Sequence, residues 1–99
     1  MGTDTPQDAG QGQEIEEDRA VTVLFFAGAR EASGAAQAVV PAAGNTVAQL
    51  LVALVCTYGD LLERVIPSCS VWVNRSPAAA DLVLQRGDEV ALMPPVSGG

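Results

Sequence analysis

The residues of this 99-residue sequence best suited to chemistry lie at its end, Met93-Pro94-Pro95-Val96-Ser97-Gly98-Gly99. Tandem prolines cannot extend a sheet ladder and favour an extended polyproline conformation, so Pro94 and Pro95 should lift the last four residues away from a folded body. Glycine has no Cβ, so Gly98 and Gly99 fit a narrow channel and take up torsions closed to other residues. The pattern is a thin probe tipped by an α-carboxylate. With a reference pKa of about 3.3 to 3.7, that group is an anion at neutral pH and a poor electrophile. Esterification by ATP to an acyl-adenylate makes it reactive: a sulfur donor can then displace AMP and leave a thiocarboxylate on Gly99. The sequence has no phosphate-binding Gly-Lys-Ser/Thr loop, so the activating enzyme must be a separate protein. A Gly-Gly end arises from this composition in about one chain in a hundred, so the motif alone does not carry the reading.

What is missing narrows the chemistry further. There is no His, hence no imidazole base, no Ser-His or Cys-His pair and no His metal ligand. All five basic residues are arginines, which removes Schiff-base chemistry. Cys56 and Cys69 are too few and too far apart in sequence for a zinc site or a redox pair, and read as small buried hydrophobes. No bound cofactor or metal is expected, ATP being used by the activating enzyme. The net charge of −7 is concentrated in Asp4, Asp8, Glu14, Glu16, Glu17 and Asp18, leaving a nearly neutral body without the basic stripe that nucleic acid needs. No apolar run reaches the length of a membrane span and no secretory signal pattern is present, so a cytoplasmic protein is expected, with neither nucleic acid nor membrane as partner.

Positioning the tail requires a small domain. Residues 1–18, rich in Gly, Gln and acidic residues, read as a disordered acidic extension; residues 19–93 read as the domain and 94–99 as the functional tail. Val21 to Phe26 is a β-branched and aromatic run, apolar on both parities, which predicts a central strand. Ala29 to Gly34 reads as a polar turn and Ala38 to Pro41 as a short strand ended or placed at an edge by Pro41. Thr46 and Gln49 make a capping-box pattern ahead of Val47, Leu50, Leu51, Leu54 and Val55 at helical spacing, with Gly59 as a left-handed cap. Leu61 to Ile66 predicts one more short helical piece. Ser70 to Asn74, Leu82 to Leu84 (a short edge strand) and Glu89 to Met93 complete the strands. This order fits an α+β fold, a mixed sheet packed on one main helix in a β-grasp arrangement.

Val23-Leu24-Phe25-Phe26-Ala27, Arg30-Glu31, Gly34, Thr46-Val47, Val73-Asn74 and Gly87-Asp88-Glu89-Val90-Ala91 running into Pro94-Pro95-Val96-Ser97-Gly98-Gly99 resemble the small subunit of molybdopterin synthase (MoaD), of the MoaD/ThiS sulfur-carrier family. The resemblance spans residues 20–99. It implies a ubiquitin-like domain whose Gly99 is adenylated and converted to a thiocarboxylate, with Gly98 giving the tail access. It further implies sulfur transfer to cyclic pyranopterin monophosphate, forming the molybdopterin dithiolene. The implied partners are the large synthase subunit (MoaE-like), an adenylating activating enzyme (MoeB-like) and a sulfurtransferase. The chain would be a sulfur-donating subunit and co-substrate, not a catalyst by itself. Arg75 departs from the family, which often has Gly there.

Strand alternation puts Phe26 and Met93 on the sheet face that a single helix leaves bare, so Phe26, Met93, Pro94, Pro95, Val96 and Ser97 form the expected partner-binding set. Arg30 is a weaker candidate for pairing with an acidic partner. The alternatives are a sulfur carrier for thiamine-thiazole or cysteine synthesis, a ubiquitin-like modifier, or a plain interaction domain. Without lysine, the chain cannot form polymers through Lys isopeptides.

Overall fold

The computed structural model describes residues 16–94. The apolar run becomes strand β1, Ala20–Phe25, with Val21, Val23 and Phe25 buried and the alternate residues half-buried. Its antiparallel neighbour β2, Gln37–Pro41, lies at the sheet edge, where the missing N–H of Pro41 costs no ladder bond. The link between them is helix α1, Ala27–Ser33, and not the polar turn that the sequence predicts for Ala29 to Gly34. The segment lacks an apolar stripe, but Ala, Arg and Glu are good helix formers. Gly34, in the left-handed region at φ 76°, ends the helix by donating its N–H to the Arg30 carbonyl. Ala29 alone of this helix is buried.

Helix α2, Val47–Tyr58, starts at the capping box: Thr46 Oγ1 accepts from the Gln49 N–H at 3.1 Å, and Gln49 Oε1 accepts from the Thr46 N–H at 2.8 Å. Val47, Leu50 and Leu54 are its buried stripe. Gly59 ends it at φ 92° and ψ −164°, a positive φ but not the left-handed helical cap expected. Helix α3, Asp60–Val65, and a 3-10 turn, Ile66–Ser68, come next. The remaining strands are β3, Ser70–Val73; β4, Ser76–Pro77; and β5, Glu89–Met93.

The sheet order is β2-β1-β5-β3-β4, with β1 and β5 parallel and the other pairs antiparallel. One face carries the helices and the core of Val21, Val23, Phe25, Leu50, Leu54, Leu62, Leu84, Val90 and Leu92. Phe25 meets Tyr58 edge-on with ring centroids 5.4 Å apart, fixing the end of α2 against β1.

Leu82 to Leu84 is not an edge strand: it forms one isolated bridge, Thr46 to Val83, and the edge is β4. Its backbone serves helix α2 instead. Val47 N–H donates to the Leu82 carbonyl and Ala48 N–H to the Ala80 carbonyl, each at 2.9 Å, satisfying first-turn donors that no helix can satisfy internally.

Cys56 corrects another expectation, being exposed on α2, whereas Cys69 is half-buried. Burial pushes the Cys69 thiol above its ordinary pKa, which leaves it a weak nucleophile at neutral pH. Residues 16–18, placed by sequence in the extension, belong to a 3-10 turn, Glu16–Arg19; residues 1–15 lie outside the described residues. Arg19 Nε donates to the Ala43 carbonyl, while the Asp18–Arg86 pair at 3.7 Å is exposed and contributes little. No helix among the described residues is long and apolar enough to cross a membrane.

Candidate functional site

Strand β5 delivers the chain to the tail through the middle of the sheet. Val90 and Leu92 point into the core, fully buried, and Ala91 and Met93 point to the opposite face. On that face β1 contributes Leu24 and β3 contributes Trp72, because Leu24 pairs with Ala91 and Ala91 with Trp72. Ala91 is small between two large neighbours, so the row has a dip at its centre. The dip widens into a groove of about 460 Å³ lined by Leu24, Phe26, Trp72, Arg75, Glu89, Ala91 and Met93. Trp72 Nε1 donates to Ser70 Oγ at 2.9 Å, so the indole has no unmet donor and presents apolar surface.

Phe26 and Met93, the two side chains that sequence places in a docking patch, both line this groove; Phe26 is 41% exposed and Met93 half-buried. Phe26 is held at the tail's root by its N–H, which donates to the Leu92 carbonyl at 3.1 Å. Ala27, at φ 49°, turns the chain there from strand into helix α1. Pro94 is exposed. Pro95, Val96, Ser97, Gly98 and Gly99 lie outside the described residues. Arg30 is exposed on α1 and lines a separate shallow hollow with Glu31 and Gly34. The groove residues not singled out from sequence are Leu24, Trp72, Arg75, Glu89 and Ala91. The period-2 alternation of β1, β3 and β5 carries the signal for most of them, but their adjacency depends on strand order.

The far end of the groove is built by the two-residue turn between β3 and β4, Asn74-Arg75, both with positive φ (52° and 72°), as a type I′ hairpin turn requires. Asn74 tolerates this region and is clamped there: its Nδ2 donates to Asp88 Oδ1 at 2.9 Å, and its Oδ1 accepts from the Glu89 N–H at 2.9 Å. Asp88 Oδ2 also accepts from the Gln85 N–H at 2.8 Å, so one carboxylate ties the turn to the start of β5. Arg75 makes no such bond among the described residues and is strained. Arg75→Gly should raise stability by about 0.5 to 1 kcal/mol, the relief of the left-handed penalty less the added freedom of the unfolded chain. The measurement is the thermal midpoint, expected to rise by a few degrees; a fall would show that Arg75 stabilises the turn.

A mixed five-stranded sheet, parallel at its centre and crossed on one face by a main helix, defines the class of this protein: it is an α+β, ubiquitin-like β-grasp domain. The crystal structure of SAMP1 from Haloferax volcanii superposes with a TM-score of 0.69 at 34% identity, over 81% of this chain and 99% of that one. The protein-protein complex of subunits 1 and 2 of molybdopterin-converting factor from Helicobacter pylori contains the same fold. There the TM-score is 0.57 at 23% identity, over 81% of this chain and 99% of the matched one.

The ThiS family model matches residues 23–99, nearly the whole domain and tail, and the chain accordingly belongs to the ThiS family, the sulfur carriers of the MoaD/ThiS kind. A molybdopterin synthase sulfur carrier subunit from Phaeosphaeria nodorum is 36% identical over 86 residues, which is 79% of this chain and 88% of that one.

Proposed function

We propose that this protein is the small subunit of a molybdopterin synthase and carries sulfur as a thiocarboxylate on Gly99. The observation that carries the reading is the extent of the ThiS match, which runs through to Gly99 itself; the identity to a molybdopterin synthase sulfur carrier subunit supports it. A separate activating enzyme joins the Gly99 carboxylate to the α-phosphate of ATP, releasing pyrophosphate. Sulfide-level sulfur supplied by a sulfurtransferase then attacks the acyl carbon, and the bond to AMP breaks, leaving a thiocarboxylate on Gly99 and free AMP. The sulfur-loaded tail enters the large synthase subunit, where its sulfur bonds to cyclic pyranopterin monophosphate and water cleaves the acyl–sulfur bond, returning Gly99 as a carboxylate; two such transfers make the dithiolene. A large-subunit partner accords with the two-subunit complex of the Helicobacter pylori neighbour. The groove beside Phe26 and Met93 is the docking surface that brings the tail's root against each partner, and dependence on ATP accords with work in the cytoplasm.

The test is a mass spectrum of the protein co-produced with its activating enzyme. Exchange of oxygen for sulfur is nominally isobaric with methionine oxidation, so fragmentation must locate the shift. The expected result is a shift on the Gly99 fragment; a shift confined to Met1 or Met93 would overturn the reading. The identity to an archaeal small modifier protein favours a second reading, attachment of Gly99 to other proteins. It predicts covalent adducts of higher mass in the same sample, which the first reading does not.

A further inference from the structure

Arg75 occupies a position in the left-handed region that suits Gly, at φ 72°, and makes no hydrogen bond or ion pair among the described residues. Arg75 nonetheless lines the open-face groove, where it is the only cationic residue among the described residues. The other arginines sit elsewhere: Arg19 binds the Ala43 carbonyl, Arg86 pairs with Asp18, Arg30 lies on α1 and Arg64 on α3. The groove is therefore polarised along its length. Phe26 and Met93 make an apolar end at the tail's root; Arg75 and Glu89 make a charged end at the start of β5, about 13 Å away at the usual rise per residue.

We propose that the groove seats a segment of a partner protein that is apolar where it meets Trp72 and Met93 and presents a carboxylate to Arg75. This rests on the reading of the groove as a docking surface. The guanidinium offers a planar fork of donors matched to a carboxylate, a geometry that ammonium or amide groups do not provide. Because Arg75 has no structural partner among the described residues, binding need not break an existing pair to engage it. Glu89, on the adjacent strand, adds a rule of its own: the partner places no second acid opposite it. The pair thus sets register and specificity, distinguishing an acidic-apolar segment from a purely apolar one, while Phe26, Trp72 and Met93 supply the buried contact.

The experiment measures binding of the full chain to the purified large subunit of molybdopterin synthase and to the activating enzyme, at low and high salt. Arg75→Glu is expected to weaken binding to at least one of them by roughly tenfold or more at low salt, with a smaller difference at high salt. Arg75→Gly is expected to weaken it less and to flatten its salt dependence, and Glu89→Gln to tighten it. The thermal midpoint of each variant confirms that it is folded. Wild-type binding by folded Arg75→Glu, with binding lost in Met93→Asp, would overturn the carboxylate and leave the docking reading intact. If Met93→Asp also binds both proteins as wild type does, the docking reading fails and this proposal with it.

Discussion

Appending a single alanine after Gly99 is expected to abolish activating-enzyme-dependent pyrophosphate release and AMP formation. The proposed chemistry needs a free α-carboxyl on a residue without a side chain, at a set distance beyond Pro95. One added residue moves that carboxyl by up to about 3.6 Å and adds a methyl group, whereas reacting atoms must approach within roughly 3 to 3.5 Å. A misplacement of about 1 Å can already cost a hundredfold in rate, so the extended chain should fall at or below background. Deleting Gly99 should do the same from the other direction. Both variants should keep the wild-type unfolding midpoint, because the core closes at Leu92 and Pro94 is already exposed. Normal AMP formation by the extended protein, followed by sulfur transfer to the pterin precursor, would remove the terminal carboxylate from the mechanism.

The second large effect separates two neighbouring residues of β5. Leu92→Asp should leave no folded protein at neutral pH, because Leu92 is fully buried and an unpaired carboxylate there costs several kcal/mol out of the roughly 5 to 15 kcal/mol that typically hold a domain together. Met93→Asp should fold, since its side chain lies on the open face, and should lose binding to the partner proteins, because the charge is desolvated when the groove is covered. Circular dichroism melts and a binding titration on the pair decide the matter. If Met93→Asp unfolds, Met93 is holding the domain together and the docking assignment is wrong.

Both predictions rest on features legible in the amino-acid sequence alone. Strand β1 announces itself by a β-branched and aromatic run of strand length, α2 by its capping box and leucine stripe, and β5 by the Gly87-Asp88 turn before it and the alternation of its two faces. Helix α1 is not legible, because seven residues with one buried alanine carry no periodic signal; only Gly34 marks its end. Strand β4 is two residues long, below what any pattern can show. Leu82 to Leu84 looks like a strand because it is apolar, yet the Leu82 carbonyl accepts from Val47 at the start of α2 and Leu84 bonds Gly44 and Asn45 just ahead of it, a tertiary demand invisible in the local sequence. The exposed Cys56 shows that a cysteine in an apolar run need not face inward. The groove is half legible: alternation nominates Phe26 and Met93, but bringing Trp72 and Arg75 beside them requires knowing that β5 lies between β1 and β3.

That central position of β5 also has a mechanical consequence. Any pull on the C-terminal segment reaches the domain through Pro94 and β5, and β5 is bonded along its length to β1 on one side and β3 on the other. Traction directed along the strand loads both ladders in shear, so many hydrogen bonds share the force at once, whereas an edge strand pulled sideways would peel away one bond at a time. Under the proposed function, a partner enzyme drawing the tail taut would therefore meet a domain that acts as a rigid handle and does not unravel.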